Sequence, residues 1–339
     1  MKRLSILFVV LSLFFTGVCT AAQPDGRLTF TITPTVEKKT NQVDLWLPYP
    51  VSDDFQTISE MSVTGNFDTS AIYRDPASEA LYLHATWDNP AEQPKCVMQF
   101  HISQKDRRNT KITASGADYP EIVTPYLEAT KFIPSENPEM KKIAKTAVQG
   151  KNSTLEKAQA VYDWVVENTY RDPEVKGCGL GFPGRTLQQC GGGGKCADLS
   201  AVFVTLARAA GIPARDVYGL RLSSPKDGDV TSGFHCWAEF YLPGTGWVMV
   251  DPADVRKMML VHKLELKDKD TNEWRKFFWG GDNLFRVVLE KNARGVNLNG
   301  AKESVPYFMY PAAQVDKNML NYFDAKSFEY KVSFKADQI

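Results

Sequence analysis

Gly191-Gly192-Gly193-Gly194-Lys195-Cys196-Ala197-Asp198 carries a glycine tract into a helix that can be followed from about residue 197 to 210. Leu199, Val202, Phe203, Leu206 and Ala210 recur at spacings of three and four, the period of one buried helical face. Gly211 and Pro213 then stop it. Cys196 therefore stands at a helix start, where the first backbone N–H groups lack intrahelical partners and carry partial positive charge. That environment favours the thiolate, which is the nucleophile; a free cysteine with a pKa of ~8.5 is mostly protonated near neutral pH. The glycines permit turns closed to other residues and leave room for a substrate. Taken alone, such a cysteine is as readily a small buried core residue.

Downstream, short strands are expected at about 216–222, 234–242 and 247–250. His235, Trp237, Glu239 and Tyr241 share one face of the second. Asp251 ends the third and precedes Pro252, a place where an aspartate commonly opens a turn. A thiol at a helix start, an imidazole on a strand and an acid at the end of the next strand are the parts of an activated nucleophile. The histidine takes the thiol proton, and the acid fixes the ring tautomer. Sixteen residues separate His235 from Asp251, an even number that lets both face one side of an antiparallel pair. Directly opposite pairing would centre the hairpin on Pro243, whereas a tight Gly244-Thr245-Gly246 turn centres it two residues later and draws the pair apart. A wider loop or a bulge is therefore expected.

Upstream, Asn137 as cap, Pro138 at the first helical position and Gly150 at the end delimit one helix. Its face is Met140, Ile143, Ala144, Ala147 and Val148. Ser153 and Glu156 at capping-box spacing open another, with Ala158, Val161, Trp164 and Val165 as its buried stripe. Residues 27–115 alternate apolar and polar, as in Leu28-Thr29-Phe30-Thr31-Ile32-Thr33, with Pro, Asn, Asp and Gly between runs. They read as an antiparallel β domain of sandwich type. His84 and His101 sit in these strand patterns as packing or surface residues. The tail from about 262 reads as strands, with clean alternation from Phe328 to Phe334. It could complete a core sheet or join the N-terminal domain.

The first residues are a targeting segment: Lys2 and Arg3, an apolar run over 4–18, then Thr20-Ala21-Ala22, read as a cleaved signal peptide over 1–22. Val18 stands where a lipoprotein signal has Gly or Ala, which argues against a lipid anchor on Cys19. No later stretch reaches the roughly 20 apolar residues of a membrane span. Export favours disulfides, and Cys178 and Cys190 flank a loop that could be bridged. Five cysteines remain after cleavage, so at least one thiol stays free. No Cys-x-x-Cys pair is present, and spacing gives a zinc site little support. With 40 basic and 40 acidic residues, the chain lacks the basic surface of a nucleic-acid binder.

Four segments together carry a resemblance: Gly194-Lys195-Cys196-Ala197-Asp198, Arg208-Ala209-Ala210-Gly211-Ile212-Pro213-Ala214-Arg215, His235-Cys236-Trp237-Ala238-Glu239 and Gly246-Trp247-Val248-Met249-Val250-Asp251-Pro252. In order and spacing they resemble the transglutaminase-like superfamily over about residues 125–260. The resemblance implies a papain-like fold with Cys196, His235 and Asp251 in the catalytic positions. It also implies attack of the Cys196 thiolate on a carboxamide or peptide carbonyl and a thioester that water or an amine resolves. The Cys196 backbone N–H is the first oxyanion donor expected. Gln188 or Gln189 could supply a second or be loop residues, and Trp237 could line the substrate groove or pack the core.

The expected fold class is thus α+β. A signal peptide (1–22) precedes an N-terminal β domain (23–120), a transglutaminase-like core (121–262) and a β-rich C-terminal extension (263–339). The expected partner is a peptide or protein substrate, cell-wall associated, outside the cytoplasm. No cofactor or metal is expected; Asp268 and Asp270 alternate with Lys267 and Lys269 as solvated surface, unlike a calcium cage. Hydrolysis is favoured over cross-linking. The rival readings are an inactive binding or assembly module of the cell envelope, and a structural Cys196 bridged to Cys190 or Cys236.

Overall fold

Leu28, Phe30 and Ile32 are buried, while Thr29, Thr31 and Thr33 between them are half-buried, so the first strand shows one face to a core. The computed structural model describes residues 25–109, 111–222, 227–282, 285–324, 326 and 328–337. The signal segment, with Cys19, lies outside them. Six strands open the chain: β1 (Gly26–Pro34), β2 (Gln42–Pro48), β3 (Gln56–Gly65), β4 (Thr69–Arg74), β5 (Leu81–Asp88) and β6 (Cys96–Gln104). Helices α1 (Pro138–Ala147) and α2 (Thr154–Asn168) follow, then the two-residue strands β7 (Tyr170–Arg171) and β8 (Gly193–Gly194), then α3 (Cys196–Ala209). Next come β9 (Ala214–Leu222), β10 (Gly228–Asp229), β11 (Phe234–Leu242), β12 (Gly246–Val250), α4 (Pro252–His262) and α5 (Lys269–Phe277). The chain ends with β13 (Phe285–Lys291), β14 (Arg294–Val296), β15 (Val305–Tyr307), β16 (Ala312–Val315), β17 (Asn318–Met319) and β18 (Phe328–Ala336).

Two five-stranded antiparallel sheets, in the orders β10-β18-β1-β6-β3 and β17-β16-β2-β5-β4, face each other across a shared core that includes Phe30, Trp46, Leu47, Phe100 and Phe334. They form a sandwich, and its strands come from both ends of the chain. β18 pairs with β1 along its whole length, Phe30 opposite Val332, and β16 pairs with β2, Ala312 opposite Trp46. The tail therefore serves both alternatives left open by its alternation: β16 and β18 complete the sandwich, and β13 joins the core sheet, ordered β12-β11-β9-β13. Within the tail, 269–277 is the helix α5 rather than strand. Only Thr271 of it is buried, so its apolar stripe is too sparse to announce a helix.

The core sheet is backed by α3, whose residues from Cys196 to Arg208 are all buried. A helix apolar nearly all round is an interior helix. It ends in a Schellman arrangement: Gly211 at φ +79° donates to Arg208 O at 2.9 Å, and Ile212 N to Ala207 O at 2.9 Å. α1 and α2 start where their caps predict, with Asn137 Oδ1 accepting from Glu139 N and a reciprocal Ser153–Glu156 capping box. The outer edge of the core sheet is held by a side chain of the sandwich. At the bulge in β13, the Gln56 amide accepts from Val288 N and donates to Val288 O, both at 2.9 Å, standing in for a strand neighbour.

Candidate active site

Three ties hold Cys196 at the first position of α3. β8 pairs in parallel with β7, fastening the glycine tract to the end of α2. A Cβ on Gly192, at φ +88°, would lie 2.5 Å from Asn168 O, so this close approach needs glycine. Asp198, in the first turn of α3, accepts from Lys195 N at 3.0 Å through Oδ2 and from Leu180 N and Gly181 N at 3.0 and 2.8 Å through Oδ1. Ala197 N donates to Cys178 O at 2.9 Å, which draws the 177–181 loop against the helix start.

His235 and Asp251 meet without the wider loop or bulge that sequence spacing called for. β11 and β12 pair from Ala238 opposite Val250 to Leu242 opposite Gly246, closed by residues 243–245. Continued, this register sets Asp251 opposite Trp237, which makes His235 its diagonal neighbour on the same face. Diagonal side chains in an antiparallel pair are within reach of a long or aromatic group. Nε2 of His235 lies 2.7 Å from Asp251 Oδ2. Asp251 is also the N-cap of α4, its Oδ1 accepting from Asp254 N at 2.9 Å with Pro252 at the first helical position. One carboxylate thus caps a helix and holds the imidazole.

Sequence reading missed the groups around this pair. Arg286 on β13, 1% exposed, points Nη2 at Asp251 Oδ2 (3.0 Å), and its Nε lies 3.0 Å from Asp282 Oδ2. Its guanidinium also sits 5.1 Å from the centre of the Trp237 ring. Asp254 pairs with Arg221 and lies 3.8 Å from His235 Nε2. Within this set, Asp251, Asp254 and Asp282 stand against Arg221 and Arg286, so a protonated His235 brings it to neutrality. Burial and the Arg221 charge oppose protonation of His235, but Asp254 and Asp251 outweigh them and raise its pKa. Burial would also raise Asp254, yet His235, Arg221 and Arg286 hold it far below the usual carboxylate range. No pattern in the sequence flags Arg286, because it lies more than thirty residues beyond Asp251 on a strand that only the fold brings alongside.

Cys196 lies beside two further thiols, Cys178 and Cys236, the three sulfurs within 4.8 Å of one another. All five cysteines among the described residues are free, so neither the Cys178–Cys190 bridge nor a bridge at Cys196 is formed. Burial works to push the Cys196 thiol up, but hydrogen bonds from Cys178, Cys236 and His235, with the His235 charge, carry it well below an ordinary thiol. The neighbours move the other way: the contact with Cys196 raises Cys178, and burial raises Cys236. Of the three, Cys196 is the one whose pKa is lowered. Cys178 donates to Phe234 O at 3.3 Å. With Nε2 of His235 committed to Asp251, Nδ1 is the nitrogen left for Cys196.

Cys196 and His235, 2% and 5% exposed, lie at the base of a cleft of about 670 Å³. Gln189 is exposed in a short turn over Arg185–Gln189 and is not among the residues lining the cleft, and its neighbour Gln188 bonds Glu139. Trp237 is 1% exposed, packs with Val217, Met249 and Val288, and lies beneath His235 and Arg286 rather than on the cleft surface. The sulfur trio and the set His235, Asp251 and Asp254 are each close enough to hold a cation. In the second, however, the carboxylates already face Arg221 and Arg286, which a metal would have to displace.

A helix-borne thiol beside an imidazole and a carboxylate on an adjoining antiparallel sheet defines an α+β protein of the cysteine-enzyme type. The chain belongs to the transglutaminase-like superfamily: the family model described as Transglutaminase-like superfamily matches residues 141–252, which run from within α1 to the first residue of α4. An uncharacterised protein of Haemophilus influenzae is 34% identical over 315 residues, 85% of this chain and 85% of that one. A crystal structure described as a candidate cysteine protease from Cytophaga hutchinsonii shares the fold at a TM-score of 0.54, with 16% identity, over 93% of this chain and 99% of that one. The periplasmic domain of TgpA from Pseudomonas aeruginosa aligns at 14% identity over 75% of this chain and 93% of that one, with a TM-score of 0.34.

Proposed function

We propose that the protein is a cysteine-dependent acyl-transfer enzyme acting on a peptide or glutamine-type amide, with hydrolysis as its outcome. Cys196 is the nucleophile, His235 its acid and base, and Asp251 the residue that orients His235. The observation that carries this reading is the 2.7 Å bond from His235 to Asp251 next to a buried helix-start thiol whose pKa is lowered while that of His235 is raised. Opposite shifts of this kind describe a thiolate–imidazolium pair.

From that pair, the thiolate attacks the carbonyl carbon and the carbonyl oxygen becomes an oxyanion. The Cys196 backbone N–H, unpaired by helix geometry, is its donor; losing one such donor typically costs about 10²–10³ in rate. His235 gives its proton to the departing amine, leaving a thioester on Cys196 and a neutral imidazole. The imidazole then takes a proton from water, the hydroxide adds to the thioester, and the carboxylic acid leaves as the thiolate returns. Asp251 keeps the ring in one tautomer throughout. Hydrolysis needs only water in the cleft, whereas cross-linking needs a second place for an amine to dock. No helix among the described residues is long and apolar enough to cross a membrane. Lys2, Arg3 and the apolar run over 4–18 support export, and we place the enzyme in the periplasm or outside the cell, on a wall-associated peptide or protein.

Incubation with a peptide library, with and without a primary amine, tests the reading. Released peptides are expected, and their appearance is abolished in Cys196→Ala. In Asp251→Asn, which keeps a competent helix cap, turnover falls by about 10³–10⁴ with the fold intact. Neither product nor adduct would support a binding module in place of an enzyme, and amine adducts alone would make it a transamidase.

A further inference from the structure

The cleft has two unlike walls. One is basic: Arg171 on β7, Lys195 just before the nucleophile, Arg221 on β9 and Lys257 on α4 all line the cavity that holds Cys196. These elements are the ones that position the site, so the cations share the thiol's cavity as a consequence of the fold. The other wall is aromatic, built by Tyr310, Tyr322, Phe323 and Tyr330 from the C-terminal third of the chain. Two acids, Asp254 and Glu329, also line the cavity, so its four cations exceed its acids by two.

Half of this positive charge has no acid in the cavity to offset it. Arg221 pairs with Asp254, but Arg171, Lys195 and Lys257 form no ion pair among the described residues. Nη1 of Arg171 is buried without a hydrogen-bond partner. A buried guanidinium N–H with no acceptor carries a desolvation cost. The cations also oppose one another: burial and the charges of Arg221 and Arg171 lower the Lys257 pKa, with Asp254 and Asp251 offsetting part of the effect. Folding alone gives no reason to gather unpaired, half-buried cations around a reactive sulfur. An anionic group of a substrate does, because guanidinium and ammonium donors make short charge-assisted bonds to carboxylates.

We propose that this basic wall is a substrate subsite, and that it takes a peptide bearing a carboxylate within one residue of the scissile amide, held against the aromatic wall opposite. The proposal rests on Cys196 being the nucleophile and names the substrate class for that site. Lys195 and Arg171 flank the glycine tract and Lys257 rises from the helix that Asp251 caps, so a bound carboxylate lies beside the reacting carbonyl.

The test needs no knowledge of the natural substrate. Iodoacetate and iodoacetamide have nearly the same size and alkylate the same thiolate, one carrying a carboxylate and the other a neutral amide. Their rates at Cys196, read by mass spectrometry of the Cys196 peptide, give a ratio to compare with that for free cysteine. We expect the normalised ratio to favour iodoacetate by about tenfold or more, since a focused field of this kind raises on-rates by about 10–10³. The ratio should fall toward the free-cysteine value in Arg171→Gln/Lys257→Gln. It cancels any change in the thiol's own reactivity. In the unaltered protein it should also fall with added salt, as the screening length contracts from about 10 Å at 0.1 M to 3 Å at 1 M, a measurement independent of how the variant folds. A ratio at or below that of free cysteine, or one indifferent to both salt and the double substitution, overturns the subsite while leaving the nucleophile in place. Failure of both reagents to label Cys196 in the folded protein overturns the nucleophile and the subsite together.

Discussion

At Cys196, burial opposes ionisation and local donors favour it, and the donors prevail because a helix start, two neutral thiols and a charged imidazole converge there. The same contest runs at His235, where three buried carboxylates against two guanidiniums leave a place for one more positive charge. Arg286 is the hinge of that arrangement. It is 1% exposed and faces Asp251, Asp254 and Asp282. Arg286→Met should destabilise the protein by about 3–5 kcal/mol, because removing one partner leaves buried charge without its counterpart. A shift in the urea unfolding midpoint measures this, and a loss below about 1 kcal/mol would show that the carboxylates find other partners. Cys196, His235 and Asp251 were each legible in the sequence through residue type at an element boundary. Arg286 and Cys178 were not, since nothing local distinguishes a core-facing arginine on a strand or a loop cysteine from their surface equivalents.

Elements with strong local signals formed where the sequence placed them. Capping at Asn137 and Ser153, the period of three and four in α3 and the Gly211 stop are contacts within one turn, so they depend on little else. α4 was hidden because Asp251-Pro252 serves equally as a turn and as a helix start, and α5 because its polar sequence buries one residue. The hairpin between β11 and β12 has a different lesson. Side chains reach diagonally across a strand pair, so even spacing places His235 and Asp251 on one face without placing them opposite. Gly179 shows how tightly the loop before α3 is fitted. It lies at φ +91°, and a Cβ there would sit 1.8 Å from Asp198 Oδ2. Gly179→Ala should cost about 1–3 kcal/mol in backbone strain alone and slow alkylation of Cys196 by loosening the Asp198 ties. Unfolding and labelling rates equal to the parent's would separate that loop from the site.

For the whole molecule, the transglutaminase-like core and the sandwich share one cleft. The family match ends at residue 252, yet the aromatic wall of the cleft comes from residues 310–330, and β18 covers one flank of β1 throughout its length. Alternation identified β1 and β18 as strands but could not pair them, because pairing between opposite ends of a chain is set by the whole fold and leaves no local trace. Truncation before Phe328 should therefore expose β1 as an unpaired edge beside an opened core, and the product should aggregate in size-exclusion chromatography. A truncated monomer with unchanged stability would show that the last strand is dispensable.

The proposed chemistry depends on Cys196 existing as a thiolate because His235, held by Asp251, stands next to it. The rate at which iodoacetamide alkylates Cys196 as pH is varied tests this most directly. For a depressed thiol pKa, the rate should rise and level off well below the ~8.5 of a free cysteine, and in His235→Ala the rise should move up toward that value. A parent protein whose Cys196 titrates like a free thiol, or a His235→Ala profile that overlays the parent's, would contradict it.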